Sequence, residues 1–195
     1  MKIIGIACIS NNKAIGKTNG ELIYQMNYDI KHFQKTTLTT NDPNKKNAVV
    51  MGNKTYKSMG KPLKNRINCV ITNNCVIKSE TEDLHYYNDI LKCLIEIQSN
   101  ENIETIYIIG GATIYQFCFD HYLYDELIIS YVHSPVNKTG DVFFPNINFN
   151  KYYIEKKSDF INVFDKTSQE NQIYAIYYLK KYDHLCQDFI KQLSY

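Results

Sequence analysis

Four short apolar runs constrain this chain more than any other feature: KIIGIACI at 2–9, NAVVM at 47–51, INCVIT at 67–72 and ETIYII at 104–109. Each has the length of a strand and lacks the alternation of a strand with one wet face, so each reads as a strand covered on both sides. Such strands belong to a parallel sheet, whose crossovers lay helices on its faces. The intervening segments agree. NDILKCLIEIQS at 88–99 is amphipathic with helical spacing, and a second helix is predicted to start at Asn27 as its N-cap. Asp29 falls in its first turn, with Ile30, Phe33, Gln34 and Leu38 following. ELIISYVH at 126–133 is a fifth strand. Two runs rich in Tyr and Ile, 151–160 and 172–181, alternate instead and predict an antiparallel hairpin closing one sheet edge. The fold class is therefore α/β: a mostly parallel central sheet flanked by helices, with an antiparallel C-terminal hairpin.

At 195 residues the chain is expected to form one domain over 1–182, with 183–195 as a terminal helix or linker remnant. A hydrophobic content of 44% and no long apolar run exclude a membrane-spanning helix. A net charge of +2 is too slight a bias for a nucleic-acid partner. The six cysteines form no C-x-x-C pair and the five histidines no zinc-binding motif, so no metal is expected. No charged-then-apolar leader opens the sequence, and a reducing cytoplasmic compartment is the expectation. The chain has no Trp against 17 Tyr, and Arg66 is its one arginine among lysines.

Chemistry concentrates at glycines. AIGKT at 14–18 imitates the end of a phosphate loop, but Asn11 stands where that motif needs its first glycine. Gly110-Gly111 lies between a strand and a helix, and Gly52-Asn-Lys-Thr55 repeats that arrangement after the strand at 47–51. Either alone fits a tight turn as well as a phosphate site. Together, at the carboxyl edge of one parallel sheet, they suggest a ligand with two phosphate regions, such as a dinucleotide. Asp29 reads as a first-turn acid favouring the helix dipole, or as a carboxylate beside the aromatic wall of Phe33, able to hold an amidine-like heterocycle.

In order, IACISNNKAIGKTNGEL (6–22), the helix bearing Asp29 and Phe33, VVMGNKTYKSMGKPLKNRIN (49–68), IYIIGGATIY (106–115) and GDVFFP (140–145) make the chain resemble the dihydrofolate reductase family over about 2–181. The resemblance implies NADPH-dependent reduction of 7,8-dihydrofolate to tetrahydrofolate, serving thymidylate and one-carbon metabolism. It implies that antifolates bind, and that the chain is a monomer with a thymidylate synthase as possible partner. It further implies that Asp29 pairs with the pteridine's 2-amino group and N3, supported by Ser130 where the family usually has Thr. Ile6, Ala7, Phe33, Met59, Leu63 and Ile109 would wall the substrate slot, with Lys61 near it, and Arg66 would clamp the glutamate α-carboxylate. Cys8, Ile15, Gly16, Asn19 and Gly20 would surround the nicotinamide. Gly52, Lys54, Thr55, Thr72, Asn73, Ile109, Gly110, Gly111, Ala112, Thr113, Ile114 and Tyr115 would line the rest of the cofactor site, and the Gly110–Gly111 peptide would be cis.

The proton for N5 would come through water admitted by the 16–24 loop, with Leu22 as gate and Tyr24 able to hold an ordered water. Ile23-Tyr24 replaces the family's Pro-Trp pair, with one extra residue near Thr18, and Asn53 and Asn73 replace residues near the 2′-phosphate pocket. Two other readings stand beside this one. They are a same-fold reductase of riboflavin synthesis, and a non-catalytic or fusion-derived scaffold on the reductase fold.

Overall fold

A computed structural model describes residues 1–74, 81–134 and 140–183. In chain order the first half contains β1 (Lys2–Ser10), β2 (Ala14–Gly16), α1 (Asn27–Leu38), β3 (Lys46–Gly52), α2 (Asn53–Met59), β4 (Arg66–Ile71), β5 (Leu84–Tyr87) and α3 (Ile90–Gln98). The second contains β6 (Ile103–Gly110), α4 (Ala112–Asp120), β7 (Glu126–His133), β8 (Val142–Phe143), β9 (Tyr152–Lys157), β10 (Ile161–Asp165) and β11 (Glu170–Lys181). All the predicted buried strands are present. With β5, which the sequence reading did not include, they form a parallel core in the order β7-β1-β6-β3-β4-β5, which β11 extends antiparallel to β7. Among the described residues no helix is long and apolar enough to cross a membrane.

Successive residues of each central strand feed opposite faces of the sheet, as the pleat requires. Ile3, Val50, Ile106 and Ile108 pack with α3 and α4. Ile4, Ile6, Val49, Met51 and Tyr107 pack with Ile23, Tyr24 and Met26, and Phe33 of α1 and Met59 of α2 join that side. Two apolar layers thus sandwich the sheet, and the second borders the candidate site.

The C-terminal edge differs from expectation. Instead of one hairpin between 151–160 and 172–181, β10 lies between them and makes the hairpin with β11, from Ile161↔Tyr174 to Asp165↔Glu170. β9 pairs with the far half of the same strand, from Tyr177↔Lys157 to Lys181↔Tyr152. At 12 residues β11 is long enough to carry two short strands end to end. Helix α1 also begins one residue earlier than expected: its N-cap is Met26, in extended conformation and without a side-chain cap, and Asn27 is already helical. Met26 is held extended by an antiparallel bridge to Asp165, so a tertiary contact sets the boundary. The long 10–24 connection contains β2, which pairs with β8. The C-terminal extension lies, apart from Asp183, outside the described residues.

Candidate active site

The carboxyl ends of β1, β3, β4 and β6 meet along one sheet edge, with α2 and α4 starting there. In open α/β sheets ligands bind at this edge. The peptide joining Gly110 to Gly111 is cis, and Gly110 has φ of 108°. A Cβ on Gly111 would lie 3.4 Å from Thr55 Oγ1, and one on Gly52 3.8 Å from the Gly111 amide nitrogen. The two helix starts therefore sit side by side, and side chains at these glycines would fill the space between them. The amides of Ala112 and Thr113, in the first turn of α4, make no hydrogen bond among the described residues. Glycine cradle, open amides, the Thr55 hydroxyl and the exposed Lys54 suit phosphate oxygens, so the residues present fit a dinucleotide. Thr72 and Asn73 follow β4 on this edge, and Ile114 and Tyr115 are buried behind it.

Asp29 stands in the first turn of α1, the helix whose Phe33 joins the same layer as Met59 of α2. Its Oδ1 accepts a 2.8 Å hydrogen bond from the Tyr174 hydroxyl, which in turn lies 2.7 Å from Ser130 Oγ. Ser130 thus supports the carboxylate through Tyr174 and not directly. Cys8 lies close enough for burial and the Asp29 charge to push its thiol well up. Ile6, Phe33, Met59, Leu63 and Ile109 gather in the apolar layer below. Ala7, the next residue along β1, belongs to the opposite layer, so its side chain does not join that wall.

Arg66 opens β4 and is only 6% exposed. Its Nη1 donates to Thr37 Oγ1 at 2.8 Å and its Nε to the Lys64 carbonyl at 3.1 Å. Among the described residues no carboxylate pairs with it. Burial depresses its pKa, as it must for a guanidinium lacking a counter-charge. Asn47, fully buried, donates to the carbonyls of Thr37 and Thr39 and closes the end of α1 beside it. Lys61 is exposed on the nearby connection.

The 16–24 segment is a small hairpin: Leu22 bridges Gly16, and Lys17 N–H bonds the Glu21 carbonyl at 2.8 Å. Asp141 holds it from outside, accepting from the Thr18 amide and hydroxyl at 2.6 and 2.7 Å. Asn19 and Gly20 form its tip, Leu22 is 58% exposed, and Ile15 packs toward the α3/α4 layer. Tyr24 is buried; burial and then the neighbouring Cys8 push its phenol up to about 12 against a smaller opposing pull from Ser134. Below it Asp165, fully buried, accepts from the Gln25, Thr167 and Ser168 amides and the Ser168 hydroxyl. Tyr174, Asp141 and Asp165 are the site residues that the sequence reading missed. Among the described residues no cluster of His, Cys, Asp and Glu could hold a metal ion.

Together, the glycine-lined helix pair can take the phosphates of a dinucleotide and the carboxylate over an apolar slot a flat heterocycle beside it. A family model described as dihydrofolate reductase matches residues 2–180. The chain belongs to the dihydrofolate reductase family. It is 34% identical over 137 residues to the dihydrofolate reductase of Saccharomyces cerevisiae, covering 64% of each chain. With the dihydrofolate reductase of Rattus norvegicus it shares 30% identity over 155 residues, 75% of this chain and 80% of that protein. It is also 32% identical over 123 residues to a bifunctional dihydrofolate reductase-thymidylate synthase of Daucus carota, covering 57% of this chain and 22% of that protein.

Proposed function

We propose that this oxidoreductase reduces dihydrofolate with NADPH, and that helix α1 is the ruler on which the substrate is laid out. The observation that carries this reading is the pairing of two unlike groups along one helix. Asp29 lies in its first turn, and Arg66 is bonded to Thr37 in its last, eight residues on. At 1.5 Å per residue that places them roughly 12 Å apart along the helix, with Phe33 between. An acceptor at one end, a planar cation at the other and apolar walls from Phe33, Met59 and Leu63 match a pterin, a benzoyl ring and a glutamate carboxylate. A riboflavin-pathway substrate, with no glutamate, would leave Arg66 buried without a counter-charge.

In this reading Gly52, Lys54, Thr55, Gly111, Ala112 and Thr113 hold the cofactor's phosphates. NADPH, when bound, supplies the hydride delivered to C6 of the pterin. Asp29 orients the pterin by accepting from its 2-amino group and N3–H. Apolar walls exclude bulk water and limit the poses the substrate can take. The proton for N5 comes from water, whose entry Leu22 and the 16–22 hairpin govern.

A spectrophotometric assay of the purified protein tests this: dihydrofolate should drive oxidation of NADPH, and methotrexate should abolish it. A protein that binds both ligands but turns over neither would favour the scaffold reading.

A further inference from the structure

Asp29 does not stand alone in its pocket. The Tyr174 hydroxyl donates to its Oδ1 at 2.8 Å and lies 2.7 Å from Ser130 Oγ. A phenol carries one proton. With that proton directed to Asp29, the Tyr174 oxygen can only accept from Ser130, so the chain runs Ser130 to Tyr174 to Asp29. The Tyr174 ring is fully buried and meets Tyr28 edge-on at 5.6 Å, which keeps the hydroxyl in place. Burial first, and then the Asp29 charge, push this phenol far above its ordinary range, so it stays a donor. Of the other groups whose electrostatics involve Asp29, Cys8 on β1 is a weak donor, while His32 on α1 and Tyr115 on α4 bond elsewhere.

A carboxylate rotates almost freely about its last side-chain bond, whereas a two-point pair with a flat heterocycle needs both oxygens in the ligand's plane. We propose that Tyr174 is a positioning residue for Asp29: its hydroxyl, braced by Ser130, fixes the carboxylate plane so that both oxygens meet the 2-aminopterin edge together. This rests on the reading of Asp29 as the pterin-binding group. Tyr174 touches neither substrate nor cofactor in this role; it acts through Asp29.

Calorimetric binding to the full chain tests the idea, with methotrexate as a 2-aminopteridine probe and NADPH as a control for the fold. Tyr174→Phe keeps the ring and should weaken methotrexate by about tenfold or more, leaving NADPH affinity within about twofold. Ser130→Ala should lose about threefold. In an Asp29→Ala background the Tyr174→Phe change should cost less than about threefold, because what it positions is gone. Equal methotrexate binding by wild type and Tyr174→Phe would overturn the proposal, as would an undiminished loss in the Asp29→Ala background. If Tyr174→Phe also lost NADPH, the Ser130→Ala cycle against Asp29→Ala would decide on the same criteria. A wild-type chain that binds NADPH but no methotrexate would instead refute the pterin reading itself, and the positioning role with it.

Discussion

Arg66 Nη1 donates to Thr37 Oγ1 across 2.8 Å, which ties the first residue of β4 to the last turn of α1. Together with the Nε bond to Lys64 it uses only part of the guanidinium's donor set. Arg66→Lys keeps the charge but loses the planar fork, so folate and methotrexate should bind about tenfold more weakly or worse. A lipophilic antifolate without a glutamate should lose less than about threefold. Equal losses, measured by calorimetry, would remove the carboxylate-clamp assignment.

Asp29→Asn is nearly isosteric, but places an amide where one carboxylate oxygen must accept. Turnover of dihydrofolate should fall by about 10² or more, while the melting temperature stays within a few degrees. Full activity in steady-state assays would show that another group orients the pterin.

Asp165 is buried under four donors, three of which belong to its own turn and one to Gln25 just ahead of α1. In Asp165→Asn an amide nitrogen replaces one acceptor and faces donors. The cost should be about 2–4 kcal/mol, and the melting temperature should drop by about 5–10 °C. Wild-type stability in thermal or urea unfolding would contradict the anchoring role.

Two glycines with positive φ separate backbone strain from crowding. At Gly60 a Cβ would meet nothing within 4 Å, and Gly60→Ala should cost about 1 kcal/mol. At Gly110 a Cβ would come 2.9 Å from the ring of Tyr115, whose hydroxyl is bonded to the Ile6 carbonyl. Gly110→Ala should therefore cost clearly more than Gly60→Ala and weaken NADPH binding, which urea melts and calorimetry would read.

Cofactor preference tests the remaining departures. Lys54 supplies a cation at the start of α2, where Asn53 and Asn73 supply none. NADPH should be used with a kcat/KM about tenfold or more above that of NADH, and Lys54→Gln should narrow that ratio. A ratio unmoved by the substitution would assign the 2′-phosphate to other residues.

The parallel core was legible because strands buried on both faces leave continuous apolar runs, and α1 because Asp29 and Phe33 keep helical spacing. What escaped depends on long-range register. Tyr174 is one of many tyrosines in an alternating strand. Only the pairing Tyr174↔Val132 and Ile176↔Ser130 sets it beside Ser130, within reach of Asp29. Asp165 opens a stretch of turn-forming residues and looks like an ordinary turn acid. It is buried only because the segment before α1 docks on it. Arg66 was legible for the opposite reason, as a lone guanidinium among lysines.

The pairing of β1 has a consequence for how the protein comes into being. Lys2 lies opposite Thr105 and Ile4 opposite Glu126, so β1 leaves the ribosome long before either of its neighbours. At roughly 5–20 residues per second this apolar segment waits for several seconds, unpaired and open to association with other chains. During synthesis β1 therefore needs protection from such association, although in the finished molecule it is the seam that joins the two halves of the sheet.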